Sequence, residues 1–128
     1  GRYSKGETNH DVLLIDKIGL LKYIYRFGDF AYIGGGFGVG IHNTLEAVAY
    51  EIPVVFGPNF KKFDEAVLMM KLGIGFSVSD YPEFETKILQ LNGTDLKKAL
   101  APIIQNFIVQ NKGATDLIIS YLKAEKLL

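Results

Sequence analysis

Apolar positions along the chain change their period several times, and each change marks an element. Residues 1–10 (GRYSKGETNH) are polar and read as loop. Asp11-Val12-Leu13-Leu14-Ile15-Asp16 is a short apolar run between two acids, with the length and composition of a buried strand. From Gly19 to Phe27 the apolar residues Leu20, Leu21, Ile24 and Phe27 recur at helical spacing, and Gly28-Asp29 closes the segment. Phe30-Ala31-Tyr32-Ile33 reads as the next strand. A glycine-dense loop follows, then a helix from about Asn43 to Tyr50, ended by Glu51-Ile52-Pro53. Pro53 to Phe56 is a third strand, and Gly57-Pro58-Asn59 a turn.

The pattern then predicts a helix over Phe63–Leu72 that stops at Gly73, and a fourth strand over Ile74–Val78. Tyr81-Pro82-Glu83 opens a further helix, with proline near its first position, and Asn92-Gly93 breaks it after Leu91. Thr94 to Gln110 is a longer helix with Pro102 as its expected kink or break; Gly113-Ala114 divides it from a last helix through Leu127. Strands alternate with helices, and the strands lack period-two alternation. That is the signature of a parallel sheet covered on both faces. The expected architecture is one Rossmann-like α/β domain over residues 1–128, with C-terminal helices from about residue 82.

Composition narrows the partners more than the fold. The 128 residues carry 14 basic and 14 acidic side chains, a net charge of zero without the basic excess of a nucleic-acid binder. There are no cysteines, which excludes disulfides and thiolate metal sites. Two histidines, His10 and His42, do not make a histidine-rich metal site. No stretch has the length of a membrane span, and no signal peptide is visible. P-loop, HExxH and nucleophile-elbow motifs are absent.

The candidate chemistry lies between Tyr32 and Pro58. Gly34-Gly35-Gly36-Phe37-Gly38-Val39-Gly40 holds five glycines in seven residues, a large ordering cost on folding. Such a loop lets backbone N–H groups approach a phosphate or sugar, or it serves a tight turn against a neighbouring element. In His42-Asn43-Thr44-Leu45-Glu46, Asn43 and Glu46 have the spacing of a capping box. The same Glu46 can accept hydrogen bonds from a ribose diol, with His42 and Asn43 donating to anionic oxygens. His42 beside a helix N-terminus suits a neutral hydrogen-bonding role. Asp16, the glycine loop and Gly57-Pro58-Asn59 are all expected at carboxyl ends of strands, where open α/β sheets bind ligands. Asp16 also fits a simple helix cap. Lys61 and Lys62 can steer an anion or simply solvate a helix start.

The stretches RYS (Arg2–Ser4), LLIDKIG (Leu13–Gly19), DFAYIGGGFGVGIHNTLEA (Asp29–Ala47) and PVVFGPNFKKFDEA (Pro53–Ala66) resemble the C-terminal part of the 3-deoxy-D-manno-octulosonic acid (Kdo) transferases of lipopolysaccharide synthesis. The HNxLE segment followed by FGP carries most of the likeness, which runs from about Tyr3 to Val78. The family usually has threonine and glutamate around the Ile-Gly pair, where this chain has Lys17 and Leu20. It often has Gly-Gly before His-Asn, where this chain has Gly40-Ile41.

The resemblance implies the C-terminal, donor-binding half of a GT-B glycosyltransferase. It implies CMP-Kdo as donor and a lipid A precursor as acceptor, with no cofactor and no bound metal. It implies that Glu46 holds the CMP ribose, and that Gly34, Gly35, Gly36, Gly38, Gly40, His42 and Asn43 lie along the phosphate and sugar acid. Backbone at Ile18 and Gly19 would contact the nucleotide. The full-length enzyme would work at the cytoplasmic face of the bacterial inner membrane, whereas this chain is expected to be a soluble, N-terminally truncated piece. Since the family's catalytic carboxylate lies in the N-terminal domain, the piece is expected to be inactive, with an exposed sheet edge open to homodimer formation. Two alternatives stand beside this: another GT-B enzyme using a UDP-sugar, and a ligand-free Rossmann-like interaction module. The second leaves the loop glycines without a purpose.

Overall fold

The computed structural model describes the backbone of residues 1–124 and the side chains of residues 1–111 apart from 94. Three parallel strands form the sheet: β1 (Ala31–Ile33), β2 (Val54–Phe56) and β3 (Gly75–Ser77), in the order β1-β2-β3. Ala31 pairs with Val54 and Ile33 with Phe56; Val54 in turn pairs with Gly75 and Phe56 with Ser77. Parallel neighbours need a crossover. α2 (Leu45–Val48) supplies the first and α3 (Asp64–Leu72) the second. Before β1 lies α1 (Leu21–Ile24), continued by a 3₁₀ turn at Tyr25–Phe27. After β3 come α4 (Tyr81–Leu91) and α5 (Thr94–Ala124).

Helices cover both faces of the sheet, as expected. Alternation puts Tyr32, Val55 and Phe76 on one face. There Phe84 of α4 meets the Tyr32 ring edge-on at 5.5 Å, and the Lys87 ammonium sits 4.5 Å from the centre of Phe76. On the other face α3 comes so close that a Cβ on Gly75 would lie 2.8 Å from Met69 Cβ. The core is centred on β2, with Val54, Val55 and Phe56 all at 0% exposure.

Local chemistry sets the helix ends. α3 stops at Gly73, whose φ of 73° is the left-handed cap, while Ile74 N–H reaches back to Met69 carbonyl. At the start of α4, Asp80 accepts from Glu83 N–H and Glu83 accepts from Ser79 N–H, a reciprocal cap.

Three expectations are corrected. Asp11–Asp16 is not a strand of the sheet. Its one bridge joins Leu14 to Arg2, and Val12 and Leu14 are 77% and 53% exposed. A strand needs a partner ladder and a buried face, and this run has neither. Asp16 therefore stands at no strand end of the sheet; it accepts from the Ser4 N–H and hydroxyl. Those bonds, the hydroxyl's first, hold its carboxyl below the usual value. Third, α5 runs unbroken through Pro102 and through Gly113-Ala114. Leu100, Ile104 and Phe107 bury one stripe of it on both sides of the proline, so tertiary packing outweighs one lost N–H. A lone glycine costs a helix only about 1 kcal/mol. The end of the predicted last helix lies beyond the described residues.

Candidate functional site

At the carboxyl end of β1 the chain folds into a tight loop, residues 34–40. Gly38 and Gly40 N–H both donate to Gly35 carbonyl, at 3.0 and 3.2 Å. Gly35 takes φ +90°, and a Cβ there would stand 2.2 Å from Gly40 O. Gly36 presses its backbone on Gly57: a Cβ on Gly36 would lie 2.5 Å from Gly57 N. Gly40 underlies the Phe63 ring. Packing thus explains three of the five loop glycines. Gly34 and Gly38 differ, because a Cβ on either would make only one ordinary contact, at 3.7 and 3.8 Å respectively. The fold alone does not demand glycine at those two positions. Among the described residues, the successive N–H groups of Gly35, Gly36 and Phe37 have no protein acceptor.

The chain leaves the loop through His42, whose N–H donates to Gly34 carbonyl at 3.0 Å. Asn43 Oδ1 then accepts from Leu45 N–H at 2.9 Å, which fixes the start of α2. Neither bond of the capping box is present among the described residues: Asn43 takes the Leu45 N–H rather than that of Glu46, and Thr44 stands at the N-cap of α2. Glu46 receives no hydrogen bond from the protein among the described residues. Glu46 is among the residues that line a cavity of about 620 Å³.

That cavity runs along the open edge of β1. Gly34, His42, Asn43 and Glu46 form its polar end, and Leu21, Ile24 and Tyr25 bring α1 to its apolar wall. Its volume lies in the ordinary range for small-molecule sites, about 300–1,000 Å³. Burial raises the pKa of the Tyr25 phenol, and the nearby Glu46 charge adds to the rise. Among the described residues, His42 and Glu46 are the only imidazole and carboxylate on its walls.

The structure thus brings four of the predicted residues, Gly34, His42, Asn43 and Glu46, to one cavity. Gly35, Gly36, Gly38 and Gly40 build the loop beside it. Ile18 and Gly19 stand apart: Ile18 is fully exposed, Gly19 has φ +87°, and neither lines the cavity. One contributor carries no mark as a site in the sequence: Leu21 and Ile24 show only helical spacing, and a helical stripe looks the same whether it faces a core or a cavity. Asn59, expected on the turn at the ligand-binding edge, donates its N–H to Gly36 carbonyl at 2.8 Å and its side-chain amide to Gly38 carbonyl.

Taken together, fold and site define a Rossmann-like α/β domain with an acid-bearing cavity beside a glycine loop. The chain is 40% identical over 83 residues to the 3-deoxy-D-manno-octulosonic acid transferase of Aquifex aeolicus (strain VF5), an alignment covering 63% of this chain and 24% of that protein. It is 36% identical over 92 residues to the enzyme of the same name from Chlamydia pneumoniae, covering 69% of this chain and 21% of that one. In structure it matches the C-terminal CMP-Kdo binding domain of WaaA from Acinetobacter baumannii, with a TM-score of 0.75 at 23% identity, over 84% of this chain and 60% of that one. No family model matches the chain. The chain is thus similar in sequence to part of the Kdo transferases and shares the fold of that C-terminal domain. It spans about a quarter of the length of the curated relatives it matches.

Proposed function

We propose that this chain is the donor-binding part of a GT-B Kdo transferase and takes CMP-Kdo at the polar end of the β1 cavity. Glu46 carries the reading. It belongs to the cavity wall and takes no hydrogen bond from the protein among the described residues, although its spacing from Asn43 offers it a capping role. A ribose diol supplies the donors it lacks. The unpartnered N–H groups of Gly35, Gly36 and Phe37 suit a phosphate or sugar carboxylate. Gly34 and Gly38, unconstrained by packing, leave room for close approach. His42 and Asn43 line the path between ribose and anion. Ile18 and Gly19 reach the nucleotide only if their exposed bend closes over it.

Transfer to a lipid A precursor belongs, in this reading, to the longer enzyme at the inner membrane. Among the described residues no helix is long and apolar enough to cross a membrane. A general base must stand within hydrogen-bond reach of the acceptor hydroxyl. Among the described residues, the walls of this cavity offer only Glu46, given to the ribose, and a histidine beside the anion. The chain alone is accordingly expected to bind donor without transferring it. The apolar remainder of the cavity, along the unpaired edge of β1, would take a further parallel strand or the edge of a second copy.

Calorimetry with CMP tests the reading. Glu46→Ala removes an acid that holds nothing in the protein, so the fold stays intact. Charge-assisted hydrogen bonds to a diol make the expected loss of CMP affinity about 10- to 100-fold. Unchanged affinity would remove Glu46 from the site.

A further inference from the structure

The turn after β2 does more than end a strand. Asn59 holds the glycine loop at two points two residues apart. Its backbone N–H donates to Gly36 carbonyl at 2.8 Å, and its side-chain amide donates to Gly38 carbonyl. On one flank of these bonds Gly57 packs on Gly36 and against the edge of the Phe37 ring, and on the other Phe63 covers Gly40. The span from Gly36 to Gly40 is thus clamped along one side by the segment 57–63. Phe37 and Val39 between the clamp points are nevertheless 61% and 99% exposed.

We infer that Asn59 is a positioning residue for donor binding. It fixes the peptide planes of Gly36 and Gly38 so that the free N–H groups beside them stay aimed at an anion. The chemistry requires a residue of this kind. A loop with five glycines samples many backbone states, and an anion site built from N–H groups works only if the loop is ordered before the ligand arrives. Asparagine suits the position because the site needs a side-chain donor to a carbonyl. Aspartate has no such donor when ionised and would add a negative charge beside the anion. The inference rests on the donor-site reading above.

Asn59→Ala tests it cleanly. The backbone bond to Gly36 survives the substitution, so a single side-chain bond is removed and the sheet keeps its packing. Two readouts are taken on the whole chain by ¹⁵N NMR: the heteronuclear NOE of residues 36–39, and the affinity for CMP. The expected result is lower NOE values confined to residues 36–39, with β2 and α4 shifts unchanged and CMP affinity reduced about tenfold, the equivalent of one hydrogen bond. Asn59→Asp should weaken CMP more than alanine does, and the difference should shrink in high salt. A merely structural role would instead lower the melting temperature and loosen strands and loop together. Unchanged loop order in both variants overturns the inference, as does a loosened loop with unchanged CMP affinity. The wild-type titration separates the two failures: a wild type that binds no CMP defeats the donor reading, whereas a wild type that binds CMP as well as Asn59→Ala does defeats the role given to Asn59.

Discussion

β2 and the run Val12–Leu14 are both short rows of apolar residues, yet they live in opposite surroundings. Val54, Val55 and Phe56 are 0% exposed, with a parallel neighbour on each side. Val12 and Leu14 are 77% and 53% exposed, with one bridge to Arg2. Apolar character makes a segment willing to be buried. Partners on both edges and helices on both faces decide whether it is. β2 has them because crossovers on either side return the chain alongside it; the early run meets only the turn at its own N-terminal side.

The largest test of that contrast is a pair of truncations. Phe56→Ala should cost about 3–5 kcal/mol in urea unfolding, the usual range for a buried phenylalanine. Val12→Ser should change stability by less than about 0.5 kcal/mol, as for an ordinary surface site. Similar costs at the two positions would erase the contrast.

A second pair asks whether the same rule holds within the glycine loop. Gly36→Ala sets a methyl 2.5 Å from the Gly57 backbone, where neither side can yield easily. A cost of about 1–3 kcal/mol, the scale of overpacking, is expected in thermal melts. Gly38→Ala meets only one atom at 3.8 Å and should leave stability within about 0.5 kcal/mol while weakening CMP. A Gly38→Ala protein with full affinity would remove that position from the ligand's path.

Smaller still is the effect at Thr44. This residue is fully buried, but its hydroxyl has no partner among the described residues. Thr44→Val keeps the shape and deletes the orphan, so a gain of about 1 kcal/mol is expected from denaturant melts. A loss would mean that the hydroxyl has a partner such as a bound water.

The smallest effect separates the early segment from the sheet by pH. Ser4 lowers the Asp16 pKa below the ordinary 3.8. A lowered carboxyl contributes stability above its unfolded value, and that contribution is lost as pH falls through the lowered one. Amide exchange near Ser4 and Tyr3 should therefore quicken on acidification below about pH 3.8, the ordinary aspartate value. β2 amides should not follow, and Asp16→Asn should abolish the step.

How much of this was legible beforehand follows from the same contrast. The strands at residues 31–33, 54–56 and 75–77 and the helices α3 and α4 were readable because local signals agreed with global packing: apolar runs, Gly73 as a stop, Pro82 near a start. The run at residues 11–16 misled, since period and composition cannot report a missing neighbour. The break allowed at Pro102 does not occur, for the converse reason: Ile104 and Phe107 hold α5 together by contacts that the local sequence does not show. At the site, the HNxLE spacing put His42, Asn43 and Glu46 on one short segment, and all three line one cavity, but the spacing could not say whether Glu46 caps its helix. The fastening by Asn59 joins residues more than 20 positions apart and had no local signature.

The most direct measurement is a ¹⁵N NMR titration of the chain with CMP, with UDP as the competing control. A donor site at the β1 cavity predicts amide shifts concentrated in residues 34–40 and 42–46, saturating at lower concentration with CMP than with UDP. Tighter binding of UDP, or no shift in those residues with CMP at millimolar concentration, would contradict the account.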